Sequence, residues 1–355
     1  MDKLINALRT IGNNEVARNK LVAVLKEIES ELQYEGDARE EVVGPIVDAM
    51  FDAQTILNKR ISNGLVFDYY YRTKIARDFL LSAPEVPDHV WEPQTTKLLM
   101  HLSRQAKHVL VGGAYFGDQV VMVANQIQGN EGIIHAFEPN VDQNQMLQKN
   151  ANNNGLTNIR TWRMGLWKDS DSHLRLVGED SFAYAELAQT ENGTADSDAF
   201  PTVSIDHYLH SNQISKLDLI MLDIEGLEYD VLQGAKSQLE LPPGDAPNIV
   251  FEVHRHYVDW SNGLHNSDIV KFLAGYGYSV FAVRDYNSNV DMHAAPVEII
   301  APEEVHLEGP PHGFNMLAVK DVTILNHALF KECNGVSPKL LKHKDPRFHH
   351  PIHKQ

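Results

Sequence analysis

From residue 108 onwards, the chain alternates short apolar segments with longer segments that carry apolar residues on one helical face. Parallel strands need a crossover between them, so this alternation favours a mainly parallel sheet with helices on both faces. The sequence therefore predicts an α/β fold. The predicted strands are 108–111, 133–137, 159–163, 217–222, 248–253, 278–283 and 314–320.

The N-terminal part of the chain has a different pattern. Apolar residues recur at helical spacing across 1–62, as in Leu21, Leu25 and Ile28, and 63–107 is predicted to continue mostly as helix. We therefore expect residues 1–90 to form a helical accessory or oligomerisation region, which would allow a homo-oligomer. The alternative is a lid that supplies contacts to a substrate.

The charge balance and the cysteine content limit the partners and the compartment. The 355 residues include 31 Lys and Arg against 48 Asp and Glu, a formal net charge of −17. Such a surface repels phosphate backbones and anionic lipid, so neither a nucleic-acid partner nor a membrane surface is expected. No apolar run is long enough for a membrane span. Cys333 is the single cysteine, which fits a reducing compartment, and we expect a cytoplasmic location.

A glycine-rich turn, read as GGAYFGD at 112–118, follows the first predicted strand. Glycines allow a backbone to approach a ligand closely, and the helix that follows presents its positive N-terminal end. Glu138 comes directly after the next apolar strand. An acid in that place can accept hydrogen bonds from both ribose hydroxyls of a nucleotide-like cofactor. The alternative for the glycine-rich segment is a tight structural turn, and the alternative for Glu138 is an exposed charge.

Polar side chains also end the fourth and fifth predicted strands. Asp223 and Glu225 follow the fourth strand, and Glu252 and His254 end the fifth. Ligands of open α/β sheets bind at the carboxyl ends of the strands, so we expect Asp223, Glu252 and His254 to converge as catalytic residues. His254 is the residue type suited to a general base near neutral pH, with Asp223 orienting it or the substrate. The alternative is an oxygen-rich site for a divalent metal, with Asp206 as a further ligand. The spacing of the residues does not distinguish the two, and we do not expect a metal.

These motifs together resemble the FkbM-type family of class I S-adenosylmethionine-dependent methyltransferases. The resemblance covers about residues 90–320 and implies a Rossmann-like, seven-stranded sheet in which strand 314–320 lies antiparallel beside the fifth strand. It divides the chain into an N-terminal helical extension at 1–90, a methyltransferase domain at 91–322 and a C-terminal arm at 323–355. The matching pieces, in the family's order, are GAYFGD at 113–118, AFEP at 136–139, Asn150 with NGL at 154–156, VSID at 203–206, LDIEGLE at 222–228 with LQGA at 232–235, and VFEVH at 250–254.

The resemblance implies S-adenosylmethionine as the cofactor. The family usually has an acid two positions before the first glycine of its motif, where it helps to hold the amino-acid end of the cofactor, and this chain has Val111 there. Glu92, just before the helix that leads into the first strand, or Asp118 is expected to take that place. The cofactor-binding residues implied are Glu92, Gly113, Ala114, Tyr115, Gly117, Asp118, Glu138 and Asp223.

The expected activity is methylation of a hydroxyl on a sugar, glycan or natural product, so the expected partner is a small-molecule or glycan acceptor. A non-catalytic, methyltransferase-like binding module is the alternative, in view of Val111. Another nucleotide-dependent enzyme, such as a dehydrogenase, is disfavoured because the turn lacks the Gly-x-Gly-x-x-Gly pattern. The connection 284–313 is long for a structureless loop, so we expect it to help select the acceptor.

Overall fold

A nine-stranded sheet lies at the centre of the computed structural model, which describes residues 2–178, 184–188, 190–191, 194–195, 199–307 and 313–352. The helices of this part are α1 (Asp2–Gly12), α2 (Glu15–Glu31), α3 (Gly44–Asp48), α4 (Lys74–Leu80), α5 (Pro93–Leu102), α6 (Val120–Ile127), α7 (Val141–Asn153), α8 (Ile205–Ser211), α9 (Glu228–Gln233), α10 (Lys236–Leu239), α11 (Asp268–Gly275) and α12 (Pro346–His349). A π-helical turn, Arg39–Val43, precedes α3.

The strands fall into the central sheet and several smaller pairings. They are β1 (Ile56–Arg60), β2 (Val66–Tyr70), β3 (His108–Gly112), β4 (Ile133–Phe137), β5 (Ile159–Trp162), β6 (Gly165–Leu166), β7 (His173–Val177), β8 (Tyr184–Leu187), β9 (Thr190–Glu191), β10 (Thr194–Ala195), β11 (Phe200–Val203), β12 (Leu219–Leu222), β13 (Asn248–Val253), β14 (Ser279–Val283), β15 (Asp285–Tyr286), β16 (Val297–Ile300), β17 (Phe314–Val319), β18 (Phe330–Cys333) and β19 (Lys339–Leu340).

The order of the central sheet is β5-β4-β3-β12-β13-β17-β14-β16-β18. The strands β5, β4, β3, β12 and β13 are parallel neighbours, and β17 is inserted antiparallel between β13 and β14. This is the class I methyltransferase arrangement, so the predicted fold class is confirmed. The sheet is wider than the seven strands expected, because β16 and β18 extend its edge.

The central strands are apolar because helices cover both faces of the sheet. Every residue of β12 and of β17 is buried. Strands buried on both faces consist of nearly continuous apolar residues. The polar residues that follow these strands therefore emerge together at one edge of the sheet.

The N-terminal part is less helical than predicted, since β1 and β2 form an antiparallel hairpin. The signals for this hairpin are the aromatic residues of 66–70 and the Asn63-Gly64 turn, in which Gly64 has a φ of 94°. A positive φ suits glycine because other residues meet steric clashes there. The hairpin is bound to α7 through Asn150, whose side chain accepts from Asp68 N at 2.8 Å and donates to Asp68 O at 2.9 Å.

The N-terminal region packs directly on the sheet domain. Val22, Leu25 and Val47 belong to the same hydrophobic cluster as Val109 and Val121. The domain boundary at residue 90 and the homo-oligomer remain predictions, but the core itself is continuous across that boundary. No helix in the described part of the chain has the length and apolar character needed to cross a membrane.

The C-terminal segment, residues 330–352, packs against the rest of the domain, although the basic, His-rich composition from Ser337 onwards predicts an exposed arm. Its strand β18 pairs with β16 at the edge of the central sheet, and β19 pairs with β15. Arg284 is completely buried and donates to Ser337 O (2.8 Å), Phe348 O (2.9 Å) and His350 O (3.1 Å). The basic, polar composition was misleading because these backbone carbonyls are satisfied by one buried guanidinium from elsewhere in the chain.

Candidate active site

A cleft of about 730 Å³ opens at the carboxyl ends of β3, β4, β12 and β13. All three predicted catalytic residues, Asp223, Glu252 and His254, line it. Of the predicted cofactor-binding residues, Ala114 and Gly117 shape the glycine turn without lining the cleft. The others, Glu92, Gly113, Tyr115, Asp118, Glu138 and Asp223, line it.

The glycine turn brings two loops into close contact. Gly113 has a φ of 77°, and a Cβ atom there would lie 1.8 Å from Asp223 O. The amides of Gly113 and Ala114 both donate to Phe137 O, at 3.0 and 3.1 Å. Gly117 also has a positive φ, and a Cβ atom on it would lie 2.5 Å from Leu147 Cδ1. These glycines are needed because the turn packs closely against the end of β12 and against α7.

Glu138 holds this turn in place from the end of β4. Its Oε2 accepts from Tyr115 N and its Oε1 accepts from Asn140 N, each at 2.8 Å. The first bond stabilises Tyr115 in the left-handed region, at a φ of 45°. Glu138 also lines the cleft, so its carboxylate lies where a ligand enters.

Glu92 brings a buried carboxylate to the cleft, whereas Val111 lies buried in the core cluster. Asn315 Nδ2 donates to Glu92 Oε2 at 2.8 Å, and Lys339 Nζ lies 3.9 Å from Glu92 Oε1. Burial raises the pKa of Glu92 to about 7, against the opposing effect of the Lys339 ammonium. Burial also raises the pKa of Asp118 to about 6. The chain thus has acids here although the usual motif position is apolar.

Three carboxylates meet where β12 and β13 end. Leu222 pairs with Phe251, so Asp223 and Glu252 emerge side by side, and the carboxylate oxygens of Asp223, Glu225 and Glu252 lie within 4.8 Å of one another. Burial, reinforced by neighbouring carboxylates, raises the pKa of Asp223 and of Glu252 well above the ordinary range. Burial raises the pKa of Glu225 to about 7. Acids this close titrate as a unit and share protons near neutral pH.

Glu228 holds the loop that carries Asp223 and Glu225. Glu228 is part of a matching motif in the sequence, but the motif does not predict this structural role. Its Oε1 accepts from Ile224 N and its Oε2 accepts from Gly226 N, both at 3.0 Å. Burial raises the pKa of Glu228 to about 7, against these amide bonds. Glu225 has a φ of 54°, a conformation that side-chain-bearing residues rarely adopt. Such backbone strain clusters at functional sites.

His254 lines the cleft, and its role as a general base stays a prediction. His256 N donates to His254 Nδ1 at 3.2 Å. This bond uses Nδ1 as an acceptor and leaves Nε2 as the ring nitrogen for a substrate. Asp206, the additional ligand of the metal alternative, bonds Ser237 Oγ at 2.6 Å and does not line the cleft. The carboxylates of Asp223, Glu225 and Glu252 could bind a cation, which would offset the repulsion among their negative charges. Protons shared among the three carboxylates would offset that repulsion equally well.

Residues far from the motifs complete the cleft. Asp37 and Lys74 from the N-terminal region and His343 from the C-terminal segment line its opening, and His343 Nδ1 lies 3.8 Å from Asp37 Oδ2. In the described part of 284–313, Asn287 and Gly313 contribute to the lining; residues 308–312 lie outside the described residues. One wall is apolar and comes mainly from the small sheet β6-β11-β7-β8 and its flanks: Met164, Leu174, Leu176, Ala185, Phe200 and Leu227.

A comparison with protein-family models matches a large part of the cleft lining to a methyltransferase domain. Residues 112–280 match the family model described as the methyltransferase FkbM domain. A search of curated proteins found no match.

Three solved structures illustrate the structural similarity. The methyltransferase FkbM from Methylobacillus flagellatus KT is 14% identical, with a TM-score of 0.34, and the match covers 60% of this chain and 44% of that chain. The O-methyltransferase from Bacillus cereus in complex with SAH is 13% identical, with 67% and 86% covered and a TM-score of 0.34. The O-methyltransferase TomG from Streptomyces achromogenes, involved in tomaymycin synthesis and in complex with SAM, is 11% identical, with 70% and 90% covered and a TM-score of 0.35. The family match and the strand order agree: residues 112–280 match the methyltransferase FkbM domain and lie in a sheet with the class I methyltransferase strand order.

Proposed function

We propose that the protein is an S-adenosylmethionine-dependent O-methyltransferase that acts on a hydroxyl of a sugar, glycan or other natural product. The observation that carries this proposal is the cleft itself. It joins the glycine turn and Glu138 to the carboxylates of Asp223 and Glu252 within an FkbM methyltransferase domain. A cytoplasmic location is proposed with it, supported by the single, buried Cys333.

The residues of the cleft fit this cofactor chemically. Glu138 has acceptor capacity for ribose hydroxyls, and the Gly113 turn approaches the end of β12 so closely that no side chain separates them. Glu92 supplies a carboxylate for an ammonium group. The cofactor carries a sulfonium, which supplies the methyl group, and the many acids of the cleft suit a ligand of that charge.

For the acceptor, we assign the proton to the carboxylates. Burial, reinforced by neighbouring carboxylates, raises the pKa of Asp223 and of Glu252, so one of them can take the hydroxyl proton. His254 Nε2 would donate to the acceptor oxygen and orient it. Glu228 keeps the loop in position through its two amide bonds. The apolar wall favours an acceptor with an apolar face beside its hydroxyl groups.

Calorimetry and a methyl-transfer assay test the proposal together. The protein should bind S-adenosylmethionine and its demethylated product, but not NAD. Transfer of a labelled methyl group to members of a panel of sugars, glycans and natural products should follow. Cofactor binding without any transfer would favour the non-catalytic module, and NAD binding alone would overturn the proposal.

Glu138→Gln is expected to weaken cofactor binding about 10- to 100-fold, because two hydrogen bonds to a charged acceptor become bonds to a neutral amide. Calorimetry with S-adenosylhomocysteine measures this loss. Since Glu138 also holds Tyr115 and Asn140, the 2′-deoxy form of the ligand serves as the control. The wild type should lose affinity for that analogue, whereas the variant should lose much less. An unchanged affinity in folded Glu138→Gln would contradict the ribose assignment.

Cofactor affinity is expected to rise with pH between about 5.5 and 7.5. Burial places the pKa of Glu92 at about 7, so at lower pH this acid must release a proton before it can pair with an ammonium. Linkage then gives up to about tenfold in affinity per pH unit for one such group, levelling off above its pKa. Asp118, with a pKa of about 6, adds to the lower part of the curve. Calorimetry across this range should show a flatter curve for Glu92→Gln, and an affinity that falls with pH would refute the assignment.

A further inference from the structure

We propose that Lys339, in the C-terminal segment, binds the α-carboxylate of the cofactor's amino-acid moiety, opposite Glu92, which binds its ammonium. The inference rests on the proposed function. It assigns part of the cofactor site to a residue that lies outside the family match at 112–280.

Lys339 has the environment of a ligand-binding lysine. It lines the cleft, and its side chain is only 12% exposed. Its Nζ lies 3.9 Å from Glu92 Oε1, which is beyond hydrogen-bonding distance, and the described residues supply no hydrogen-bond acceptor for this ammonium. Most of the side chain is buried, and it lines the cleft with no acceptor for its ammonium among the described residues, so the arrangement favours an anion that enters the cleft.

The two side chains form a complementary pair for a zwitterion. Asn315 and Gln119 donate to Glu92 Oε2, at 2.8 and 3.4 Å, whereas Oε1 faces Lys339. An α-amino acid carries an ammonium and a carboxylate on one carbon. A carboxylate and an ammonium of the protein, side by side and separated by slightly more than a hydrogen bond, match those two groups.

Asp285 connects the backbone of Lys339 to the start of the helix that follows Glu92. Asp285 pairs with Lys339 between β15 and β19, and its side chain accepts from Gln94 N (3.0 Å) and Thr95 N (2.7 Å) in the first turn of α5. Glu92 directly precedes that helix. The neighbouring Arg284 holds the C-terminal segment on the other side. Lys339 is therefore a positioned residue rather than a loose surface lysine.

Calorimetry with S-adenosylmethionine and with decarboxylated S-adenosylmethionine separates ligand binding from a purely structural ion pair. The wild type should prefer the carboxylated ligand. Lys339→Met should lose about 10- to 100-fold in affinity for S-adenosylmethionine and little for the decarboxylated ligand. The reason is that only S-adenosylmethionine has the α-carboxylate that the Lys339 ammonium binds. Lys342→Met, at an exposed lysine three residues away, is the matched control and should behave as wild type.

Equal losses for both ligands, or no loss for either, would overturn the proposal. Lys339→Arg retains the charge and should recover most of the affinity for S-adenosylmethionine. If Lys339→Met does not fold, the comparison of Lys339→Gln with Lys339→Arg gives the same test. A wild-type protein that binds neither ligand would instead refute the proposed function, so the two failures are distinguishable.

Discussion

Asp223→Asn is expected to lower the rate of methyl transfer by about 10²- to 10⁴-fold, the usual effect of removing a general base. The expected loss is large because burial, reinforced by neighbouring carboxylates, raises the pKa of Asp223 and of Glu252 well above the ordinary range and so makes each a better proton acceptor. The amide has nearly the same shape but cannot take the hydroxyl proton. Cofactor affinity, measured by calorimetry, should fall much less than the turnover measured with labelled cofactor.

Matched variants assign the role within the cluster. Glu252→Gln should have a comparable effect, because the two acids act as a unit. Asp206→Asn removes an acid of the same type that bonds Ser237 away from the cleft, and it should leave turnover unchanged. His254→Ala should cost less than Asp223→Asn if His254 only orients the acceptor. The reverse order would restore His254 as the base.

A chelator and a pH profile complete this test. Turnover should survive the chelator, since no metal is assigned to the carboxylates; its loss would show that Asp223, Glu225 and Glu252 hold a cation instead. Turnover should fall on the acid side of neutrality, because a protonated Asp223–Glu252 pair cannot accept a further proton. A flat acid limb would indicate that positioning alone supports the reaction.

Arg284→Met is expected to reduce the free energy of unfolding by about 3–5 kcal/mol, the usual cost of breaking a buried ion pair by removing one partner. Arg284 and Glu298 are both buried and form such a pair, and Glu298 Oε1 also accepts from Ile352 N at 2.8 Å. The substitution removes the cation beside the buried Glu298 carboxylate. It also takes the Arg284 donor from Ser337 O and His350 O, whereas Phe348 O keeps its bond from Ser337 N at 3.0 Å. Urea unfolding measures the change.

The double variant Arg284→Met with Glu298→Gln measures how much of the loss comes from the buried Glu298 charge. It should recover part of the lost stability, because the remaining side chain is neutral. The single variant should also weaken cofactor binding, since the C-terminal segment carries Lys339. Full stability and full affinity in Arg284→Met would contradict the view that this guanidinium anchors the segment at the cleft.

The fold class and the location of the site were predictable because local patterns determine them. Apolar runs such as Leu219–Leu222 are buried on both faces, and the acids that follow them emerge at the carboxyl edge. The glycine turn was visible for a similar reason. A Cβ atom at Gly113 would clash with Asp223 O, so only glycine fits at this position. The requirement for glycine is therefore visible in the sequence.

Other features of the fold and the site have weaker signals in the sequence. The hairpin at 56–70 was missed because helical spacing in 1–62 outweighed a single Asn63-Gly64 signal. The general-base role of His254 rests on residue type and stays a prediction, because the hydrogen bonds of the ring, such as that from His256 N, depend on the tertiary structure. The basic tail suggested an exposed arm because its anchoring partner, Arg284, lies far away in the chain.

The sequence by itself determined the parallel sheet, the glycine turn and the set of acids at the strand ends, since each depends on neighbouring residues and on a regular period. Only the tertiary structure decided which distant side chains complete the cleft. Asn315 donates to Glu92 across 223 positions, and Lys339 approaches the same carboxylate from the C-terminal segment. Such contacts exist only after the helices and strands have packed, because burial creates the need for each partner and the fold determines which one is within reach.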